Sequence, residues 1–209
     1  MKIIKHLNPV AGENTYLVAN EEALLVIDPG SDTQGLIQKI SNLKKPVAAI
    51  LLTHTHYDHI ISVDVIRQKF NQPPVYVHPL EADWLGDPSL NGSARHPELG
   101  DIIISPADVL FENGRAYELA GFHFRVLPTP GHSQGSVSFV FDEEMVVFSG
   151  DALFRETIGR TDLPTGDFDT LINSIKSQLL VLPSRYDIHP GHGFSSTIGH
   201  EKTFNPFLR

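Results

Sequence analysis

Seven side chains in this chain have the types and the spacing to hold metal ions. The run Thr53-His54-Thr55-His56-Tyr57-Asp58-His59 gathers three imidazoles and a carboxylate into one short stretch, a donor set that divalent ions accept. Alternation along an extended segment sends His54 and His56 to one side. Asp58 and His59, adjacent at the turn into a helix, diverge, so one loop can serve two neighbouring ions. Three more candidates each end an expected strand: His132 in Thr129-Pro130-Gly131-His132-Ser133, Asp151 in Ser149-Gly150-Asp151, and His192 in His189-Pro190-Gly191-His192-Gly193. The glycine before each removes side-chain bulk and lets the backbone bend sharply. There is no cysteine, so the donors are nitrogen and oxygen only. Zinc suits such a set best, and iron and manganese accept it too. A water shared by two such ions is acidified towards neutrality, which points to hydrolysis of an ester, thioester or amide.

The elements around these residues are expected to place them at strand ends. Residues 15–19 and 23–27 form a hairpin around Asn20-Glu21-Glu22, closed by Asp28-Pro29-Gly30. Residues 33–43 have apolar positions at helical spacing, 47–52 form a buried strand, 60–70 a helix and 75–77 a further strand. The loop with the histidine cluster thus joins a strand's C-terminal end to a helix, where open α/β folds carry their sites. Residues 86–106 form a long loop suited to lining a cleft. Strands recur at 115–126, 136–140 and 145–148, and a helix is expected over 168–182. Two halves, each built of strands and then helix, predict an α/β protein with a four-layer αββα sandwich, formed as a single domain over residues 1–209.

Composition narrows the partners. The formal charge is −9 and the basic residues are scattered, so neither nucleic acid nor an anionic membrane is an expected partner. No stretch approaches the roughly 18 apolar residues of a membrane helix. The N-terminal residues lack the apolar core of a secretory signal, and a cytoplasmic enzyme with a small-molecule substrate is the expectation.

The series THTHYDH, TPGH, SGD and PGHG, in order along nearly the whole chain, resembles the metallo-β-lactamase superfamily. That resemblance implies the αββα fold. It also implies that His54, His56 and His132 bind one metal ion, that Asp58, His59 and His192 bind a second, and that Asp151 bridges the two. One departure is Ser62, where the superfamily usually has glycine. Two divalent ions balanced by Asp58, Asp151 and a hydroxide leave a positive site for an oxyanion, and Asp58 is placed to take the proton as attack proceeds.

Within the superfamily the chain is similar to the short glyoxalase II-like enzymes, through Asn14-Thr15-Tyr16-Leu17, Ile27-Asp28-Pro29-Gly30, Gly159-Arg160-Thr161-Asp162 and residues 197–208. This implies hydrolysis of thioesters such as S-lactoylglutathione. Arg160, by its planar fork, and then Lys202 are the candidate contacts for a substrate carboxylate, with a surface ion pair of Arg160 to Asp162 or Asp167 as the alternative. Asp28 is a candidate to orient a ligand histidine. The persulfide dioxygenases resemble the chain as well, which implies the alternative of one iron on His54, His132 and Asp151.

Overall fold

A computed structural model describes residues 1–209, which divide into two compact units. The first comprises Met1–Phe111 and Leu119–Phe122, and the second comprises Glu112–Glu118 and His123–Arg209.

The first unit is built on strands β1 (Lys2–Leu7), β2 (Asn14–Ala19), β3 (Leu24–Ile27), β4 (Val47–Leu51), β5 (Val75–Val77) and β6 (Val109–Leu110), hydrogen-bonded in that order. The β1–β3 segment is antiparallel and the β3–β6 segment parallel. Helix α1 (Thr33–Leu43) makes the first crossover. Its N-cap Asp32 accepts the Gly35 N–H, and Leu36 and Ile40 turn inward. Strands β2 and β3 are buried at every position, and Leu17, Ala19, Leu24 and Val26 join Leu36, Ile50, Ile60 and Ile66 in one apolar cluster. β1 breaks the usual alternation: His6 is its buried residue and Leu7 is exposed.

The helix expected over 60–70 is instead two, α2 (Tyr57–Ile60) and α3 (Val63–Lys69). Ser62 causes the break. Its N–H goes to the Pro29 carbonyl at 3.0 Å, and its fully buried hydroxyl donates to the Gly30 carbonyl and pairs with Thr33 Oγ1 at 2.7 Å. With φ at −94° it occupies backbone space open to any residue, so the departure from glycine adds a tie to the 28–30 turn at no backbone cost. Residues 86–106 contain no strand or α-helix, as expected. They follow a 3-10 helix (Pro79–Gly86) and include a short 3-10 turn (Ser93–Arg95). Asn91 organises this loop, donating to the Trp84 and Ile102 carbonyls and accepting the Ser93 N–H.

Apart from the turn residues Leu119–Phe122, the second unit carries β7 (Ala116–Leu119), β8 (Phe122–Pro128), β9 (Val137–Phe141) and β10 (Val146–Gly150). A small hairpin follows, β11 (Leu153–Phe154) with β12 (Thr157–Ile158), and then β13 (Asp187–Pro190) and β14 (Ser196–Thr197). The sheet order is β14-β13-β10-β9-β8-β7. The single strand expected over 115–126 is a hairpin, because Ala120 and Gly121 both take positive φ, 47° and 76°, the backbone of a tight primed turn. Helix α4 (Phe168–Ser174) starts at its Asp167 cap and then widens into a π turn (Ile175–Leu179), so the helix expected over 168–182 is only partly α. Leu171, Ile175, Leu179 and Leu182 nevertheless all pack into this unit's core, beside Val140, Val147 and Ile188. A last helix, α5 (Ile198–Phe204), is capped by Thr197. No helix is long and apolar enough to cross a membrane.

Candidate metal centre

The first group of donors hangs from the end of β4. Asp28 sits at φ 49°, a left-handed conformation that aspartate tolerates, and reaches across to the loop. Its Oδ1 accepts the Thr53 N–H at 2.8 Å and its Oδ2 the Thr53 hydroxyl at 2.6 Å. The same Oδ2 lies 3.1 Å from His59 Nδ1. Two residues on, the Thr55 N–H and hydroxyl both go to Glu81 Oε2, at 2.8 and 3.0 Å. His54, His56, Asp58 and His59 are all buried. The ring centroid of His54 is 4.8 Å from that of His56 and 4.1 Å from that of His59. Ligand atoms of Asp28, His54 and His59 lie within 4.8 Å of one another.

The second group lies in the other unit. His132 follows Gly131, whose φ is 126° and where an added Cβ would stand 2.3 Å from the Leu171 nitrogen; only glycine fits. Asp151 follows β10, with its Oδ2 3.5 Å from His132 Nε2 and its Oδ1 2.9 Å from His192 Nδ1. Gly159 lies against this pair: a Cβ there would be 1.8 Å from the Asp151 carbonyl oxygen and 3.3 Å from His132 Nδ1. Gly150 also takes positive φ, whereas Gly191 does not; it instead donates its N–H to the Gly150 carbonyl at 2.8 Å.

Hydrogen bonding assigns the ring tautomers. A carbonyl only accepts, so His132 Nδ1, 2.8 Å from the Arg160 carbonyl, carries the proton, and the lone pair is on Nε2. Asp28 imposes the same state on His59. Thr53 spends its hydroxyl proton on Asp28, so at 3.1 Å its oxygen accepts from His54 Nδ1, and the lone pair is again on Nε2. Donor spacing agrees: two ligands on one tetrahedral ion with bonds of about 2.1 Å stand about 3.4 Å apart. His59 Nε2 to Asp58 Oδ2 is 3.7 Å, and His132 Nε2 to Asp151 Oδ2 is 3.5 Å. Buried imidazole and carboxylate donors with this spacing fit a divalent ion.

The two basic candidates make protein contacts. Arg160 is exposed and lays its fork on Asp162, with bonds of 2.7 and 2.8 Å, which pulls the Asp162 carboxyl down to about 2. Its carbonyl, which sequence reasoning did not single out, is the group that orients His132. Lys202, on α5, donates to the Leu182 carbonyl at 3.0 Å. Glu81 was also missed, since nothing in a sequence separates a buried glutamate from a solvated one.

A family model described as the metallo-beta-lactamase superfamily matches residues 9–192. The chain belongs to the metallo-beta-lactamase superfamily, and the fold expected from the motif series is the one its structural neighbours share. It is a metal-dependent hydrolase of that class.

Among its relatives, a probable metallo-hydrolase of Streptococcus pyogenes serotype M6 is 55% identical over 210 residues, covering 100% of this chain and 90% of that protein. The hydroxyacylglutathione hydrolase GloC of Haemophilus influenzae is 40% identical, covering 94% of this chain and 92% of its own. Among solved structures, the BLEG-1 B3 metallo-beta-lactamase matches with a TM-score of 0.94 and 43% identity over 99% of each chain. A protein crystallised in a di-iron-bound form matches with a TM-score of 0.86 and 39% identity, over 98% of this chain and 100% of that one.

Proposed function

We propose that this hydrolase is a thioesterase of the hydroxyacylglutathione hydrolase type, acting on a small acyl thioester. The observation that carries the substrate class is the likeness to the Haemophilus influenzae hydroxyacylglutathione hydrolase over 94% of the chain. In this reading His54, His56 and His132 would hold one divalent ion, Asp58, His59 and His192 would hold the second, and Asp151 would be shared between them. Zinc is the favoured ion for these nitrogen and oxygen donors, with iron or manganese as alternatives. Bound there, two ions would supply an acidified water and a positive field for the carbonyl oxygen.

The remaining work falls to the chain. Asp28 and the Arg160 carbonyl keep His59 and His132 turned with Nε2 as donor. Asp58 accepts the proton that the attacking water gives up. Arg160, whose side chain is 61% exposed on a pair with Asp162, exchanges that partner for a substrate carboxylate, and Lys202 supplies a second contact. A thioester needs no proton donor for its leaving group, because a thiol with a pKa near about 8.5 departs readily as thiolate. The reading places the enzyme in the cytoplasm, with a small thioester as partner and neither nucleic acid nor membrane required.

The test pairs elemental analysis of purified protein with assays on S-lactoylglutathione, a β-lactam and glutathione persulfide. Two metal ions per chain and thioester turnover abolished by a chelator are expected. One iron per chain with oxygen uptake on the persulfide, or turnover confined to the β-lactam, overturns the reading.

A further inference from the structure

Glu81 is fully buried, as is Thr55, and a carboxylate removed from water is costly unless it is hydrogen-bonded. It lies on the 3-10 helix (Pro79–Gly86), with its N–H on the His78 carbonyl at 3.0 Å. Its Oε2 takes both the Thr55 N–H and the Thr55 hydroxyl. Thr55 sits between His54 and His56, and in an extended segment its side chain points opposite to theirs. The grip on Thr55 therefore comes from behind the two imidazoles. The arrangement repeats the hold of Asp28 on the N–H and hydroxyl of Thr53, so His54 is fixed on both sides by a carboxylate-held threonine. The same 3-10 helix sets Trp84 against the His56 ring, with centroids 6.1 Å apart.

We propose that Glu81 is a positioning residue for the metal-binding loop: by holding Thr55 it keeps His54 and His56 in the orientation that an ion requires. The inference rests on the reading of these two histidines as metal ligands. Oε2 receives the Thr55 N–H and the shorter bond of its hydroxyl, which also reaches the Glu81 carbonyl at 3.4 Å; the carbonyl oxygen of glutamine can replace Oε2, whereas alanine keeps only the longer main-chain contact.

The experiment titrates Co(II) and Zn(II) into chelator-treated full-length protein, comparing wild type with Glu81→Ala, Glu81→Gln, Thr55→Val and His56→Ala. Glu81→Ala is expected to weaken binding about tenfold to a hundredfold, the usual loss when the group behind a ligand is removed, and to shift the visible bands of bound Co(II). Glu81→Gln recovers most of that loss. Thr55→Val, which deletes the hydroxyl and keeps the amide, falls between. Wild-type affinity and spectrum in Glu81→Ala overturn the proposal, and so does a glutamine variant as weak as the alanine one, since charge rather than placement would then be at work. Should Glu81→Ala fail to fold, unweakened binding in Thr55→Val overturns it instead. His56→Ala separates the two levels: wild-type metal content there defeats the ligand reading itself, whereas loss there with none in Glu81→Ala defeats only the role of Glu81.

Discussion

Asp28 Oδ2 accepts from His59 Nδ1 at 3.1 Å and from the Thr53 hydroxyl at 2.6 Å. One carboxylate thus fixes the tautomer of a donor ring and the start of the loop that carries it. Asp28→Asn keeps the left-handed backbone accessible but turns an N–H₂ group towards a donor. Metal affinity is expected to fall about tenfold to a hundredfold, measured by competition with a coloured chelator; wild-type affinity would mean that the second carboxylate oxygen is dispensable.

His56→Ala and Asp58→Ala are expected to abolish turnover without unfolding the chain, since neither side chain belongs to the apolar cluster of its unit. For Asp58→Ala the rate should fall by about a hundredfold or more. The melting midpoint of the metal-free protein should move by less than about 4 °C, equivalent to about 1 kcal/mol for a chain of this size. Turnover that survives either substitution in metal-free protein removes the mechanism.

Arg160→Ala separates two uses of one guanidinium. Without its fork, Asp162 should titrate above the about 2 that Arg160 chiefly imposes, moving back towards the ordinary carboxylate range, visible by NMR. If the side chain also grips substrate, KM for a thioester bearing a carboxylate rises about tenfold, a loss of about 1.4 kcal/mol, while that for a neutral thioester stays put. Equal KM values leave it a surface ion pair.

Gly159→Ala probes the closest packing near the second group of donors. A methyl group cannot share space with the Asp151 carbonyl 1.8 Å away, so the hairpin must shift, at a cost of about 1–3 kcal/mol or more. Chemical denaturation should show that loss, and metal affinity should drop with it because Asp151 and His132 move. A variant as stable as wild type with unchanged affinity would refute this.

Burial holds His6 below its ordinary value, Lys39 adds to the effect, and Asp32 opposes it. The unfolded chain therefore takes up a proton at about pH 6.5 while the folded chain does not. Stability falls as pH drops from there through the folded-state value, and then levels off. In His6→Gln the difference in melting temperature between about pH 7.5 and about pH 5.5 should shrink; an unchanged difference assigns the slope to other groups.

Much of this was legible in the sequence, for identifiable reasons. Strands β2 to β5 and helix α1 are continuous apolar runs or clean helical spacings, and their bounds came out within a residue or two. β1 was missed because its inward position is a histidine and its terminal leucine faces solvent, which only pairing with β2 decides. The 120–121 turn was hidden because alanine rarely takes positive φ. At the site, the motif series singled out the candidate donors, and Asp28 was singled out as a candidate orienting carboxylate. The groups behind the donors were not legible, because a main-chain carbonyl such as that of Arg160 has no sequence signature.

Thr53 and Thr55 are each tethered through both backbone amide and hydroxyl. A loop already stiff has little conformational entropy left to surrender when an ion arrives. Loading and stripping of metal should therefore proceed without opening the chain, and the amides of these two threonines should exchange slowly with deuterium even in ion-free protein.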